Sequence, residues 1–243
     1  MKKIFFGLAM KAKILLPILL LLGFVSTQAY SQAKVGFKVS GGHYSFFSGK
    51  VDAIGQGAAR LGVVGIIPFG QESESQFFLQ GEANLSNVGA KLSYHMYGQD
   101  NISGITPLDV ADYHLTMLNI PVSLGLKLNL NDEQALSFRA GLFLEVGLTG
   151  RVFLQKGSNA TPIIYNAYTK GKTTQGQTDP YIFPFERITM GALCAVDYSI
   201  NKNWIVGLEL QQNITPGLMD NKIGGLNPVL RPYTFTVGAT YLF

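Results

Sequence analysis

The residues best suited to catalysis or metal binding are three histidines, His43, His95 and His114. Imidazole binds metal ions and acts as a general base, and the nearby Ser45 and Ser93 could supply a nucleophilic hydroxyl. The histidines are too far apart for a compact ligand motif, and they occupy mixed parities in the strands described below. We therefore expect no enzyme, no metal site and no cofactor, and keep a hydrolase that uses these histidines as an alternative hypothesis.

A second set of ionisable residues lies in segments in which every other residue is apolar. Each member occupies the parity opposite to the apolar residues, so the charges share one face of each segment. The set has five basic and four acidic members: Lys38, Arg60, Glu82, Lys127, Arg139, Glu145, Arg187, Asp197 and Glu209. We predict that these side chains form a structural network of ion pairs and hydrogen bonds inside the fold.

The segments that carry these charges are predicted to be β-strands, because their polarity alternates with a period of two residues. No stretch after residue 31 shows a sustained helical pattern. The alternation changes phase near Asn87-Val88, which indicates either a bulge or the point at which that strand leaves the membrane. The predicted strands are 34–46, 58–69, 76–97, 118–130, 136–149, 187–200, 204–213 and 233–243.

The strand lengths and connections predict one fold. Several strands exceed ten residues, whereas strands of soluble sandwiches are usually about 5 or 6 residues long. Short connections at 70–75, 131–134 and 201–203 alternate with long ones at 47–57, 98–112, 150–186 and 214–232. We predict an all-β fold, an eight-stranded antiparallel up-and-down transmembrane β-barrel with short periplasmic turns and long extracellular loops. Its apolar faces would contact lipid, and its charged faces would line the lumen.

The longest predicted loop carries the best candidates for a ligand or partner surface, although its aromatic residues could instead form an interfacial girdle. Within it, 152–156 and 163–168 could form a hairpin beyond the membrane or fold inward as a plug. The aromatic residues are Tyr165, Tyr168, Tyr181, Phe183 and Phe185.

The N-terminus has the features of an export signal. Residues 1–31 contain an apolar run at 14–25 preceded by four lysines and no acid, the pattern of a cleavable signal peptide. We expect translation to begin at Met1 or Met10, cleavage after Ser31, and a mature barrel domain of residues 32–243 that begins at Gln32. Removing four of 19 basic residues leaves 15, equal to the 15 acidic ones, so the mature chain is neutral. This balance argues against nucleic-acid binding.

An ordered series of segments resembles the PorT-like outer-membrane β-barrel family of Bacteroidota. The segments are VGFKVSGG at 35–42, FFLQGEANLSNVGAKL at 77–92, LNIPVSLGLKL at 118–128, FRAGLFLEVGL at 138–148, MGALCAVDY at 190–198 and YTFTVGATYLF at 233–243. The resemblance covers most of residues 34–243 and implies an eight-stranded outer-membrane barrel. It implies little about activity, because most members are defined by fold alone. PorT itself serves a protein-secretion system, so a secretion accessory is one role that the resemblance allows.

These observations support three hypotheses about function. The first is a small barrel with a structural, adhesive or partner-binding role exercised through extracellular loops. The alternatives are a narrow channel for small solutes or ions, and a hydrolase at the rim of the barrel. We expect export through the general secretory pathway to the outer membrane of a Gram-negative bacterium. Expected partners are outer-membrane lipid, an extracellular or envelope protein, and the barrel-assembly machinery. The final strand, with Tyr241 and Phe243, resembles the C-terminal signal that this machinery recognises.

Overall fold

Nine β-strands make up most of the described part of the chain. The structure, a computed structural model, describes residues 33–47, 52–69, 74–93, 110–155, 161–169, 185–216 and 230–243. The strands are β1 (Lys34–Phe47), β2 (Asp52–Phe69), β3 (Ser75–Ser93), β4 (Val110–Asn129), β5 (Ala135–Gln155), β6 (Ile163–Asn166), β7 (Ile188–Ser199), β8 (Trp204–Asn213) and β9 (Arg231–Leu242). None of the described residues belongs to a helix long and apolar enough to cross a membrane.

Eight of these strands form a closed antiparallel barrel. β1 to β5 and β7 to β9 each pair with the next in this order, and β9 pairs with β1 to close the sheet. The short β6 pairs with β5 alone, outside the closed ring. The predicted eight-stranded up-and-down barrel is therefore confirmed. We call the end with the described chain termini and the turns 130–134 and 200–203 the turn end, and the opposite end the loop end.

The barrel wall has the two faces that the alternation predicts. Its outer surface is an apolar band, with side chains such as Leu61, Leu124 and Leu142 more than 60% exposed. Inward positions of the same strands carry buried polar residues, among them Arg139 on β5 and Ser123 on β4. An apolar exterior around a polar interior suits a sheet in hydrocarbon, because closure leaves no strand edge with unpaired backbone groups.

Aromatic side chains gather on the outer wall at the turn end. Trp204 and Tyr241 pack edge to face with ring centroids 5.1 Å apart, and Tyr241 lies 5.6 Å from Phe243. The ring of Phe243 also contacts Phe37 at 5.4 Å, and its backbone N–H donates to the carbonyl of Val35. The last residue of the chain thereby ties the final strand to the first.

Three strands extend further toward the loop end than expected. β2 begins at Asp52, β4 begins at Val110, and β5 continues to Gln155. The predicted long connection 47–57 is therefore wrong, since only residues 48–51 separate β1 from β2. In the extension of β4 the pattern is inverted: Leu115 and Met117 are buried inside, whereas His114 faces outward. The alternation with outward apolar residues ends where this inversion begins, so the predicted strand is shorter than the observed one.

Of the two alternatives for the phase change near Asn87-Val88, a bulge in β3 is wrong. In β3 the buried positions keep one parity from Gln76 to Leu92, and no register shift with β4 occurs. The register shifts lie in the β2–β3 pair, between Gly55 and Ala58 of β2 opposite Ala90 and Val88, and in the β4–β5 pair next to Thr116. The phase change reflects the same inversion, because β3 leaves the apolar band and its inward residues become apolar. This is the second alternative that the pattern allowed.

The predicted hairpin in the longest loop is present, and it also folds inward. The end of β5 pairs with β6 from Arg151 opposite Asn166 to Leu154 opposite Ile163. Tyr165, at the third position of β6, is 2% exposed. β6 therefore extends the sheet beyond the apolar band, and its Tyr165 side chain fills part of the lumen.

The band predicts a stability penalty that depends on depth. Leu142 lies in the middle of the outward apolar residues of β5, whereas the outward Thr116 of β4 lies beyond the band. We expect Leu142→Arg to lower the unfolding free energy by about 2–4 kcal/mol in lipid vesicles, and Thr116→Arg by about 0–1 kcal/mol. Urea titrations of the reconstituted protein measure both. Equal penalties at the two positions would contradict this placement of the band.

Candidate functional site

The centre of the lumen holds a network of charged side chains from six strands. Lys38 of β1 lies 2.9 Å from a Glu82 oxygen on β3 and 2.8 Å from a Glu209 oxygen on β8. Arg60 of β2 lies 3.1 Å from the other Glu209 oxygen, and Arg139 of β5 contacts both glutamates at 3.3 Å. Residues distant in sequence are thus joined across the interior of the barrel.

Arg139 has the most extensive set of ionic partners in this network. Its Nε and Nη2 donate to the two oxygens of Asp197 on β7, in addition to its contacts with Glu82 and Glu209. Its side chain is only 1% exposed. Moving a guanidinium out of water costs several kcal/mol, so it is tolerated only where ionic and hydrogen-bonding partners surround it. Three carboxylates on three strands meet that requirement.

Neutral side chains donate further hydrogen bonds to the carboxylates of the network. Gln80 donates to Glu82 at 2.7 Å, and Asn84 donates to the other oxygen of the same carboxylate at 2.9 Å. Gln211 donates to Glu209 and accepts from Arg60, both at 2.9 Å. Because buried carboxylates need hydrogen-bond donors, these amides supplement the ion pairs. The sequence pattern marked them only as inward-facing polar positions.

Glu145 lies in a separate polar layer. It accepts hydrogen bonds from Asn119 at 3.3 Å, Thr189 at 3.2 Å and Asn213 at 3.4 Å. Asn119 also donates to Gln211 at 3.0 Å, which links this layer to the central network. The polar filling of the lumen therefore continues from the ion pairs toward the loop end.

A cluster of buried apolar side chains, which we call the plug, closes the loop end of the lumen. Ring contacts run from Tyr113 to Phe46 at 6.3 Å, on to Phe185 at 6.1 Å, and from there to Tyr168 at 6.3 Å. The plug residues come from β1 to β6 and from adjacent segments: Tyr44, Phe46, Ala58, Val88, Ala90, Leu92, Ala111, Tyr113, Leu115, Met117, Val152, Leu154, Tyr165, Ala167, Tyr168, Phe185 and Leu230.

The plug changes the role assigned to the loop aromatics. Tyr165, Tyr168 and Phe185 are buried inside the barrel, so the idea that they form an exposed partner surface or an interfacial girdle is wrong. Gly147 permits the inward position of Tyr168, since a Cβ at this glycine would overlap the tyrosine ring. The other two aromatics, Tyr181 and Phe183, lie outside the described residues.

The expected lumen residues do not all meet. The central network contains Lys38, Arg60, Glu82, Arg139, Asp197 and Glu209, and Glu145 lies in the adjoining layer. Lys127 is half-buried near the turn end. Arg187 is exposed, with its guanidinium carbon 5.3 Å from the centroid of the Tyr168 ring, so its placement in the lumen network is wrong. The backbone carbonyl of Arg187 still accepts a hydrogen bond from Gly147 of β5, but its side chain stacks on Tyr168 of the plug instead of joining the ion pairs.

The histidines do not form a common site. His43 lies on the outer face of β1, with its ring 6.3 Å from Tyr233, and His114 lies on the outer face of β4. β2 and β3 separate these two strands, and His95 lies outside the described residues. In the part of the chain that the structure describes, no group of three or more His, Cys, Asp or Glu side chains could hold a metal ion.

Comparison with known proteins gives one family match. The family described as "Outer membrane protein beta-barrel domain" matches residues 18–243. The search of curated proteins gives no match.

Several solved structures are similar at low identity. Ail, the attachment invasion locus protein of Yersinia pestis, is 8% identical with a TM-score of 0.37, covering 87% of this chain and 99% of Ail. OprG from Pseudomonas aeruginosa is 11% identical with a TM-score of 0.40, covering 86% and 95%. The E. coli Outer Membrane Protein W is 15% identical with a TM-score of 0.38, covering 86% and 97%.

The network predicts a large penalty for removing its central cation. Arg139→Met leaves three buried carboxylates without one of their partners, so we expect the unfolding free energy to fall by about 3–5 kcal/mol. The control is Lys91→Met, because Lys91 is 43% exposed and lies 3.5 Å from Asp112. This variant should cost less than about 1 kcal/mol. Urea unfolding in vesicles measures both, and a mild effect at Arg139 would argue against its central role.

Proposed function

The chain belongs to the outer membrane protein beta-barrel domain family, and from that membership we propose that it is a non-conducting scaffold in the outer membrane. In this proposal the loop end faces the outside of the cell and binds an extracellular or envelope protein. The observation that carries the proposal is the plug, which lies across the lumen beyond the ionic network.

The filled interior supports a role on the surface rather than in transport. An eight-stranded barrel leaves an interior just wide enough for side chains to fill. Here Arg139 and its carboxylate partners occupy the centre, and Tyr44, Tyr113 and Phe185 are fully buried toward the loop end. A permeating solute would have to displace both layers. A barrel filled in this way can still serve as a rigid support for the segments it displays.

The barrel wall is taller on one side than on the other, and the extra height lies at the loop end. β3, β4 and β5 span 19, 20 and 21 residues, whereas β7, β8 and β9 span 12, 10 and 12. The extra length of the tall strands extends the wall toward the loop end. The connecting segments 94–109, 170–184 and 217–229 join strands at this end, and we propose that they carry the partner-binding residues.

The PorT-like resemblance suggests a more specific form of this role, an accessory of a protein-secretion system. We also propose the export route expected from the sequence, with cleavage of the signal peptide after Ser31. Recognition of Tyr241 and Phe243 by the barrel-assembly machinery is consistent with their place on the outer wall of the final strand.

A narrow channel is the second candidate, and one observation favours it. Part of the plug comes from β6 and from Phe185, which fill the lumen but belong to none of the eight strands of the barrel wall. Displacement of this part would uncover the charged lumen. The hydrolase has weaker support, because His43 and His114 lie on separate strands and point away from the lumen.

The two candidates predict opposite electrical behaviour. We expect the mature protein to give silent planar bilayers, because the plug and the ionic network fill the lumen in series. Heat-modifiable migration on a denaturing gel controls for correct folding of the reconstituted protein. Reproducible conductance that changes on Arg139→Gln or Glu145→Gln would contradict the scaffold proposal and support the channel.

The scaffold proposal also predicts that function resides in the loops. A deletion strain should show a defect in secretion or envelope integrity that the wild-type chain restores. Replacing residues 217–229 by a Gly/Ser linker of equal length should abolish rescue and leave heat-modifiable folding intact. The same replacement of residues 201–203 at the turn end is the control and should still rescue. Full rescue by variants of each of the three loop-end segments would refute the proposal.

A further inference from the structure

On the outer wall of β3, β4 and β5, the side chains change from apolar to polar between two neighbouring rows of paired residues. Directly paired outward residues form rows across these three strands. The last apolar row is Leu85, Leu118 and Val146, and the next row toward the loop end is Asn87, Thr116 and Thr149. This change from aliphatic to polar side chains marks the upper edge of the apolar band on this side of the barrel.

Charged residues gather on the outer wall immediately beyond that edge. His114 pairs across the strands with Arg151, and Lys91 pairs with Asp112. Lys91 Nζ lies 3.5 Å from one Asp112 oxygen, and His114 Nε2 lies 3.3 Å from the other. We call these four residues the collar patch. The side chains of Lys91 and His114 are 43% and 53% exposed, and Arg151 is also exposed.

Asp112 organises the collar patch without cancelling its charge. Besides its contacts with Lys91 and His114, it accepts a hydrogen bond from Gln56 at 3.1 Å. The formal charge is +2 from Lys91 and Arg151 and −1 from Asp112, hence +1, and it becomes +2 when His114 is protonated. The patch is therefore a basic surface whose lysine and histidine side chains are held by one shared carboxylate.

The collar patch lies a short distance beyond the apolar band. His114 lies four positions before Leu118 on β4, which places the His114–Arg151 row roughly 10 Å above the last apolar row for a strand tilted by about 40°. Long basic side chains can extend their charged groups back toward the membrane interface. Phe153, whose ring packs edge to face against His114 at 5.3 Å, adds an aromatic group of the kind enriched at interfaces.

We propose that the collar patch binds the phosphate group of an anionic membrane lipid in the outward-facing leaflet. Guanidinium and ammonium groups are the side chains that pair best with phosphate, and Arg151 can engage it through two N–H groups. The acyl chains of the same lipid would lie along the apolar rows of β3 to β5. This inference rests on the outer-membrane location and on the proposed outward orientation of the loop end, and it is independent of the partner-binding role of the loops.

Native mass spectrometry of the purified mature protein tests the site. The probes are a diphosphorylated disaccharide glycolipid (lipid A) and its dephosphorylated form, at equal concentrations. We expect the wild type to retain the phosphorylated lipid and the triple variant Lys91→Gln/His114→Gln/Arg151→Gln to retain at least tenfold less. These outward side chains can be changed without disturbing the core, and heat-modifiable migration verifies folding.

The control variant is Lys34→Gln/Lys202→Gln, which removes the same permanent charge from exposed positions at the turn end. It should retain the lipid as the wild type does. Equal retention by the triple variant, or equal binding of the dephosphorylated lipid, would overturn the proposal. So would displacement of the lipid by an equal concentration of inorganic phosphate, because that result would indicate a site for soluble anions.

Discussion

Closure of the sheet between β9 and β1 is the constraint on which the rest of this structure depends. The two strands pair continuously from Gly36 opposite Leu242 to Phe47 opposite Arg231. Without this pairing, each strand would expose a row of unpaired N–H and C=O groups to hydrocarbon, where nothing can replace their hydrogen bonds. Closure also separates an inside from an outside, and every second residue is committed to one or the other.

The interior that closure creates is narrow, and its contents follow from that dimension. Inward side chains from opposite walls meet at the centre, so charges carried by β1, β2, β3, β5, β7 and β8 form direct ion pairs. Burying a single ion costs several kcal/mol of desolvation free energy, and ionic partners offset this cost. Arg139 accordingly has three carboxylate partners. The ion pairs fill the centre of the barrel and connect its strands across the lumen.

The wall is built from two zones of opposite polarity. In the band, apolar residues face outward and polar residues face inward; beyond it, on β3 to β5, Lys91 and His114 face outward and Leu92 and Leu115 face inward. The same strands continue through both zones in register. The environment of each face explains the change, because the outer surface passes from lipid into water and the inner surface from a polar network into a packed apolar plug.

The sequence alone determined the number of strands in the barrel, their approximate bounds within the band, and the face on which most of the charges lie. It could do so because lipid imposes a strict period-two pattern, which a local reading detects. The extensions of β4 and β5 escaped that reading because their polarity is inverted rather than absent. The extension of β2 escaped it because Gly55, Gly57 and a register shift interrupt the alternation. The side chain of Arg187 is absent from the ion pairs because it stacks on Tyr168, whose inward position no local pattern encodes.

Only the tertiary structure decided which charges meet. Lys38 and Glu209 are separated by 171 positions in the chain and lie 2.8 Å apart in the lumen. Their contact depends on barrel closure and on the register of several strand pairs, neither of which a local pattern encodes. The inward position of Tyr168 and Phe185 was decided in the same way. Their burial depends on the empty space beside Gly147 and on the inner faces of β1 and β4, which are brought together only when the sheet closes.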